Sequence, residues 1–267
     1  MGGTESSDRL IPEPETIYER TKEEGKRRLQ RPIVEEISTA LAAGFDIVAG
    51  IVVLGLLVHF TERHFGKDTA HVLGSCGFGV GFIFLIVGRG ELFTENFLVP
   101  LAGLDHEDGD TSWWNVLKLW TISPVFNVLG GLVMILILST HSVLPYGTGT
   151  PIMETAQTLH ANGVLALFLS AVFAGGLITA MTWFVEGQAT MMPRVVVAWI
   201  CGTMLALGSF NHVIVITLEL IFGYRYGAHY SWLFILGNFG LAAAGNMVGG
   251  IGLVTLNRLT QGRAGSS

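Results

Sequence analysis

The sequence predicts an all-α integral membrane protein with six transmembrane helices, arranged as two inverted three-helix repeats whose second and fifth helices are broken. Three observations lead to this fold class. Charged residues make up 13% of the 267 residues and hydrophobic residues 50%, which is too apolar for a soluble or a disordered chain. Six stretches with at most one charge reach the roughly 20 residues that a helix needs to cross a bilayer. Two short motifs also recur at one offset.

The six apolar stretches define the expected domain organisation. Each is bounded by charged residues, glycine or proline, and together they cover residues 38–61, 69–88, 119–153, 155–185, 195–218 and 226–257. We therefore expect a transmembrane channel domain over residues 36–260. A cytoplasmic segment, 1–35, precedes it, and a short cytoplasmic tail, 261–267, follows it.

The distribution of lysine and arginine orients the predicted helices. An even number of crossings places both termini on one side, and that side carries eleven basic residues against three on the other. The positive-inside rule then makes both termini cytoplasmic. Ile17, Leu29 and Ile33 are spaced among charged residues, which predicts an amphipathic helix at the membrane surface in the N-terminal segment.

An internal repeat is visible in the third and sixth stretches. Two Asn-x-x-Gly-Gly strings begin at Asn127 and Asn246, 119 residues apart, and the same offset maps the glycine-rich interruption at 88–96 onto 207–212. A repeated unit of three helices must be inverted in the membrane. Paired broken helices in inverted repeats are typical of a transport pathway. Helix packing explains the glycines at least as well, but polar interruptions at membrane depth require a protein or water-filled surrounding.

The interruption of the fifth stretch carries Asn211 and His212. A broken helix exposes backbone N–H groups that can receive an anion, and an imidazole can exchange a proton with a permeating weak acid. A lone intramembrane histidine more often bridges two helices. Because His212 lies at a repeat-related break, we favour a histidine in the pore.

The interruption of the second stretch carries an aromatic residue. Phe93 aligns with His212 at the repeat offset and is flanked by Leu92 and Thr94. An aromatic ring beside a pore suits a gate that closes by dewetting, although core packing would also explain it. Asp46 is the other costly residue inside a stretch. It lines a vestibule or accepts a hydrogen bond between helices, and the sequence leaves both open.

Other classes of protein are not supported. The sequence has no G-x-S-x-G, H-E-x-x-H or Walker motif, so we expect no enzyme, no cofactor and no metal site. Its basic residues form no nucleic-acid footprint. Cys76 and Cys201 both lie inside apolar stretches, which argues against a disulfide.

These motifs resemble those of the formate/nitrite transporter family. The resemblance covers roughly residues 36–258, and its most specific part is the combination of the Glu-Leu-Phe-Thr and Asn-His-Val-Ile strings. The matching strings are Ala42–Phe45, Gly90–Asn96, Asn127–Gly131, Asn211–Ile214 and Gly245–Gly250.

The resemblance implies an aquaporin-like protomer, a homopentamer with one pore per subunit, and a bacterial inner membrane location. It implies small monovalent anions such as formate, nitrite or hydrosulfide as solutes. Leu92, Phe93 and Thr94 would lie on the loop that interrupts the second helix, and His212 at the centre of the pore. Leu205 falls where formate channels have an aromatic constriction.

Several departures from the family pattern indicate a divergent member, similar to uncharacterised inner-membrane branches. Ile216 replaces an asparagine four residues after the histidine, and Gly175 replaces an asparagine of the fourth helix. No lysine follows Lys118, which leaves His160 as the nearest candidate for the basic residue of the outer vestibule. Asp46 replaces an uncharged residue.

The predicted function is a channel or transporter for small weak-acid anions, passive or proton-coupled through the central histidine. Its expected partners are the solute, the lipid bilayer and further copies of the chain, with no nucleic acid. The alternatives are a cation-selective, sodium-type pore that uses the first-span carboxylate, a neutral-solute channel and a non-transporting scaffold. The candidate pore and substrate-binding residues are His212, Asn211, Thr94, Phe93, Leu92, Leu205, Asn127, Asn246 and Asp46.

Overall fold

The computed structural model describes residues 12–104 and 111–264, and every regular element in these ranges is helical. The ends of the predicted segments 1–35 and 261–267, at 1–11 and 265–267, lie outside the described residues. A 3-10 helix, Phe93–Phe97, precedes α3, and a π-helical segment, Val248–Thr255, joins α9 to α10. The α-helices are α1 Pro14–Gln30, α2 Ile33–Gly88, α3 Val99–Ala102, α4 Trp113–Leu138, α5 Gly149–His160, α6 Val164–Glu186, α7 Met191–Leu207, α8 Val213–Arg225, α9 Trp232–Met247 and α10 Leu256–Ala264.

The helices account for six membrane crossings, and the predicted fold class is confirmed. Helices α2, α4 and α6 and the continuous helix Trp232–Arg263 are each long and apolar enough to cross a bilayer. At 56 residues, α2 provides two crossings. Helices α7 and α8, of 17 and 13 residues, together form the broken fifth crossing.

The two crossings of α2 form a helical hairpin that reverses at Gly66. This residue has φ +79°, a left-handed conformation that glycine adopts without a steric penalty. The arms then pack against each other, because a Cβ on Gly50 would lie 3.2 Å from the Cα of Gly81 and one on Gly77 would touch the side chain of Leu57. Gly50 and Gly81 lie 16 and 15 residues from Gly66, and Leu57 and Gly77 lie 9 and 11 residues from it, as expected for an antiparallel hairpin.

The predicted boundaries between the third and fourth crossings are wrong. The uncharged stretch 119–153 contains the end of α4 at Leu138, an irregular connection and the start of the separate helix α5. The fourth crossing begins at Val164 rather than at 155. Charge alone misses the break because residues 139–148 are uncharged but polar, with Gly147 at φ +92°.

The repeat is also visible in how the crossings pack. A Cβ on Gly130 of α4 would collide with the carbonyl oxygen of Leu41 in the first arm of α2, and one on Gly249 would collide with that of Val172 in α6. Gly249 follows Gly130 by 119 residues, and Val172 follows Leu41 by 131. Each half therefore brings its first and third crossings together through the same close contact.

Helix α1 packs against protein on one face of the bundle. Its Tyr18 forms a buried cluster with Leu98, Ala102 and Trp183, and the guanidinium of Arg263 lies over the Tyr18 ring at 5.9 Å. We call this face inner and the face at the Gly66 turn outer. Helices α1 and α10 therefore pack against each other at the inner ends of the crossings.

Candidate functional site

Two broken helices meet in the middle of the bundle. The inner break lies between α2 and α3, and the outer break lies between α7 and α8. In both breaks a residue with a left-handed backbone follows the helix, Arg89 with φ +55° and Ser209 with φ +46°. The next residue donates its N–H back into the helix, from Gly90 to the carbonyl of Leu85 at 2.9 Å in the inner break.

The outer break repeats this pattern with an offset of 120 residues. Phe210 donates its N–H to the carbonyl of Leu205 at 3.0 Å, as Gly90 does to Leu85. The two asparagine strings, in contrast, are 119 residues apart. The distance along the chain from the break to the asparagine is therefore one residue shorter in the second half, 36 residues from Phe210 to Asn246 against 37 from Gly90 to Asn127. The sequence alignment of Phe93 with His212 is therefore wrong by one residue. The residue equivalent to His212 is Leu92, because each precedes the first residue of its helix.

Asn127 fixes the backbone of the inner break. Its Nδ2 donates to the carbonyl oxygens of Ala40 and Glu91, both at 2.9 Å, and its Oδ1 accepts the N–H of Phe93 at 3.0 Å. The side chain is fully buried, so all these bonds replace bonds to water. The amide supplies the partners that the broken helix lacks.

Asn246 fixes the outer break in the same way. Its Nδ2 donates to the carbonyls of Ala171 at 2.7 Å and Asn211 at 3.1 Å, and its Oδ1 accepts the N–H of Val213 at 2.9 Å. Gly175 explains one departure from the family pattern, because any Cβ there would collide with the Asn246 backbone. The structure thus places both asparagines behind the break loops as supports.

Thr94 and His212 join the two breaks. The Oγ1 of Thr94 lies 2.7 Å from the Nε2 of His212, and neither residue has any exposed surface. The Nδ1 of His212 accepts the N–H of Val215 at 3.3 Å and thereby caps α8. A neutral ring with Nδ1 as acceptor carries its proton on Nε2, so His212 donates the hydrogen bond to Thr94.

The apolar residues predicted for the two breaks are buried in the core of the bundle. Leu92, Phe93 and Leu205 are all buried and belong to one apolar cluster, and the Phe93 ring meets the edge of Phe97 at 4.9 Å. With no exposed surface on His212, the pathway is closed at this level in the structure. The hydrogen bond of Thr94 with His212 therefore brings the two breaks together at one constriction.

Asn211 belongs to an amide pair that sequence reasoning missed. Its Nδ2 donates to Oδ1 of Asn238 at 2.9 Å, and Nδ2 of Asn238 donates to Oδ1 of Asn211 at 3.1 Å. The N–H of Asn211 also donates to Oγ of Ser170 at 3.0 Å. A polar residue in an otherwise uncharged stretch was the only sequence signal for Asn238.

A cavity of about 450 Å³ lies on the inner side of the constriction, between α1 and the inner break. Its charged lining residues were also missed by sequence reasoning. They are Arg20, Glu23, Glu24, Arg27, Arg28, Arg31, Arg89, Glu91, Glu95, Glu186 and Arg194.

Ion pairs connect α1 to the inner break across this cavity. Arg31 pairs with Glu91, and both side chains are 5% exposed. Arg28 lies 3.7 Å from Glu91 and 2.9 Å from Glu24. Burial opposes ionisation of the Glu24 carboxyl, but the hydrogen bonds and charges of Arg27 and Arg28 outweigh it and lower its pKa to about 2. The inner break is therefore held in place by charges from outside the crossings.

A second cavity, of about 390 Å³, lies on the outer side. Lys67, from the α2 turn, lines it with its Nζ 3.9 Å from Glu62 and 3.8 Å from Glu154. His160, the candidate from the sequence, instead packs its ring on Phe234 at 4.3 Å. The basic residue of the outer cavity is therefore Lys67, between the first two crossings, and not His160 before the fourth crossing.

Asp46 does not join the constriction. A Cβ on Gly90 would lie 3.0 Å from its Oδ2, which places the carboxylate beside the end of α2. It is not among the residues that line the inner or the outer cavity. Within the described part of the chain, no hydrogen bond or ion pair to its side chain is found.

Comparison with known proteins agrees with the resemblance seen in the sequence. The family model described as "Formate/nitrite transporter" matches residues 15–259. Inner membrane protein YfdC of Escherichia coli (strain K12) is 24% identical over 249 residues, which cover 91% of this chain and 77% of that protein. Formate channel BtFdhC of Bacillus thuringiensis is 22% identical over 244 residues, covering 90% and 92% of the two chains.

Solved structures share the fold. A pentameric formate channel with formate bound has a TM-score of 0.69 at 21% identity, covering 84% of this chain and 94% of that one. An FNT family ion channel has a TM-score of 0.77 at 17% identity, covering 92% and 98%. The matching family and structures are channels and transporters, which confirms the expectation that the chain is not an enzyme.

Proposed function

The chain belongs to the formate/nitrite transporter family, and we propose that it is a channel or transporter for small monovalent weak-acid anions such as formate or nitrite. The observation that carries this proposal is the buried hydrogen bond between Thr94 and His212 where the two broken helices meet. Relatives that include a formate channel support the choice of solute.

The constriction has the donors that a small anion needs. The anion loses its water on entering an apolar passage, which is costly unless hydrogen bonds replace it. The Nε2–H of His212 now donates to the hydroxyl oxygen of Thr94, and an anion between them would accept hydrogen bonds from both the imidazole N–H and the threonine O–H. A protonated imidazole would also pass its extra proton to the anion, which would cross as the neutral acid at lower cost. Passage is therefore passive or proton-coupled.

The charge of the two cavities supports anion entry from the inner side. Six arginines and five glutamates line the inner cavity, whereas Lys67 shares the outer cavity with Glu62 and Glu154. With histidine neutral, the formal charge is therefore +1 at the inner cavity and −1 at the outer one, and a positive potential concentrates anions. We infer that an anion is gathered mainly at the inner cavity.

The assembly and location follow from the relatives and the charge distribution. We propose a homopentamer with one pore per subunit, as in the related pentameric channel. We place it in a bacterial inner membrane with both termini cytoplasmic, because basic residues collect on the side of α1. Residues 1–35 and 261–267 would then form the cytoplasmic segments around a transmembrane domain over 36–260.

A cation-selective pore is supported less well. It would use Asp46, whose carboxylate lies beside Gly90 and lines neither cavity. No contact of the described residues favours a neutral-solute channel over the anion channel.

Reconstitution of the purified protein in liposomes tests the proposal. Under opposed gradients of sodium chloride and sodium formate, we expect a formate-dependent current or pH change in the lumen. The variant His212→Phe should abolish formate flux and leave the oligomer assembled, as judged by its elution volume. Undiminished flux in this variant would contradict the role of His212. A reversal potential that follows sodium would reject anion transport altogether.

A further inference from the structure

Glu95 is a buried carboxyl group at the inner break, beside the residues proposed to contact the solute. It directly follows Thr94 in the 3-10 helix Phe93–Phe97, and only 3% of its surface is exposed. The small exposed part lines the inner cavity. Glu95 therefore lies between that cavity and the hydrogen bond of Thr94 with His212, where a solute leaves water and enters the constriction.

The carboxyl group of Glu95 is fixed but not neutralised by an ion pair. Its Oε2 accepts the N–H of Leu92 at 2.9 Å. Its neighbours Glu24 and Glu91 each have an arginine nitrogen within hydrogen-bond distance. Among residues 12–104 and 111–264, no basic nitrogen lies within 4.0 Å of Glu95. An ionisable side chain of this kind inside a membrane protein marks an ion pathway or a proton relay.

Charged groups act on Glu95 from α1, from its own loop and from α6. Arg28 of α1 attracts its negative charge, whereas Glu91 of the same loop and Glu186 of α6 repel it. Glu24 of α1 and Arg194 of α7 line the same cavity. On the side of the constriction, the nearest titratable group along the chain of contacts is His212, which Glu95 reaches through Thr94.

Three arginines of the inner cavity can hold an anion near Glu95. Arg20, Arg89 and Arg194 all line the cavity. In the described ranges, none of them has a carboxylate within 4.0 Å, so their donors are not occupied by an ion pair. Guanidinium groups bind carboxylates through two parallel hydrogen bonds. An anion held there would share the cavity with the carboxyl group of Glu95.

We propose that Glu95 is the proton-exchange group of the inner half of the pathway, an inference that rests on the proposed transport of weak acids. Protonated Glu95 gives its proton to the anion, which becomes the neutral acid and enters the constriction. The Glu95 carboxylate then takes a proton from water in the cavity. In the reverse direction, the neutral acid gives its proton to the Glu95 carboxylate and leaves as the anion, and water then removes that proton.

Proton exchange resolves a conflict in the charges of this site. A permanently ionised carboxylate at the mouth of the constriction would repel every anion that the arginines attract. A carboxyl group that exchanges its proton presents a hydrogen-bond donor to the arriving anion. Glu95 would therefore select for anions of weak acids over anions that cannot be protonated, such as chloride.

Uptake of radiolabelled formate into proteoliposomes tests this role between about pH 5 and pH 8. The variant Glu95→Gln keeps an oxygen for the N–H of Leu92 and loses the proton. We expect it to lower formate uptake by about tenfold or more and to flatten the pH dependence. Glu19→Gln, which removes an exposed carboxylate of α1 that does not line the cavity, should behave as the unmodified chain.

Two outcomes overturn the inference. Glu95→Gln with unchanged uptake and an unchanged pH profile would exclude proton exchange at this residue. If Glu95→Gln does not assemble, Glu95→Asp provides the test. This variant keeps the carboxyl group on a side chain that is one methylene shorter. We expect slower uptake with the pH dependence retained, and an unchanged rate overturns the role. Failure of the proposed function gives a different result from failure of the Glu95 role. In that case the unmodified chain itself would take up neither formate nor nitrite.

Discussion

The inner and outer breaks have the same backbone pattern but different surroundings. In the inner break, Glu91 forms a buried ion pair with Arg31, the residue that follows the end of α1. In the outer break, the equivalent residue 120 positions later is Asn211, which forms two amide hydrogen bonds with Asn238 of α9. One loop is held by charges from a helix outside the crossings, and the other by neutral amides from a neighbouring crossing.

This difference shows that the asparagines set the shape of each break loop, whereas the ion pairs add charge at one loop only. Asn127 and Asn246 make equivalent bonds to the two loops, so the shape of a break does not require the ion pairs. The ion pairs add a dependence of the inner loop on α1. We therefore expect a variant in α1 to alter the inner side of the pathway and leave the outer break intact.

Removal of the buried ion pair should have the largest effect on stability. In Arg31→Ala, Glu91 keeps only the more distant Arg28 at 3.7 Å and becomes a poorly compensated buried charge. We expect a loss of about 3 kcal/mol in the free energy of unfolding. Unfolding in micelles with increasing SDS measures it. Arg27→Ala removes an exposed pair with Glu24 and is the matched control, with a loss under about 1 kcal/mol.

Removal of the amide pair should have a smaller effect. In Asn238→Ala, the side chain of Asn211 loses one donor and one acceptor partner in a buried position. The expected loss is about 1–3 kcal/mol, measured by the same SDS titration. Equal losses for Asn238→Ala and Arg31→Ala would mean that the charged and the neutral supports do not differ in energy.

Acid should loosen the inner side and leave the outer break unchanged. The folded pKa of Glu24, about 2, lies below its ordinary value of 4.5. The contribution of Glu24 to the free energy of unfolding is therefore complete above about pH 4.5 and is lost as the pH falls toward 2. Amide hydrogen exchange of α1 should increase over this range, with no matching change at the Asn211 amide pair. Glu24→Gln should remove that part of the pH dependence, and an unaltered profile would argue against the assignment.

The sequence predicted the features that depend on composition and local pattern. Long apolar stretches indicated the crossings, and polar interruptions located both breaks and His212. The alignment of Phe93 with His212 failed by one residue because the offset was taken from Asn127 and Asn246. These lie in other helices, and the connection to the break is one residue shorter in the second half.

Contacts between distant segments could not be predicted. Arg31 and Glu91 are 60 residues apart, and nothing in a charged N-terminal segment indicates that it reaches a break inside the bundle. Lys67 was counted only as a charge between two crossings. Its place in the outer cavity depends on the hairpin turn at Gly66, which brings it toward Glu154 of α5.

The asparagine supports have a consequence for how the chain can be divided. Asn127 bonds only to Ala40, Glu91 and Phe93 of its own half, and the bonds of Asn246 likewise stay within the second half. Each half is a unit that fixes its own break, and the connection 139–148 carries no part of either support. Two separately expressed fragments, cut in that connection, should reassociate into a complete pore. The single chain then resembles two units of three crossings, inserted in opposite orientations and joined by one connection.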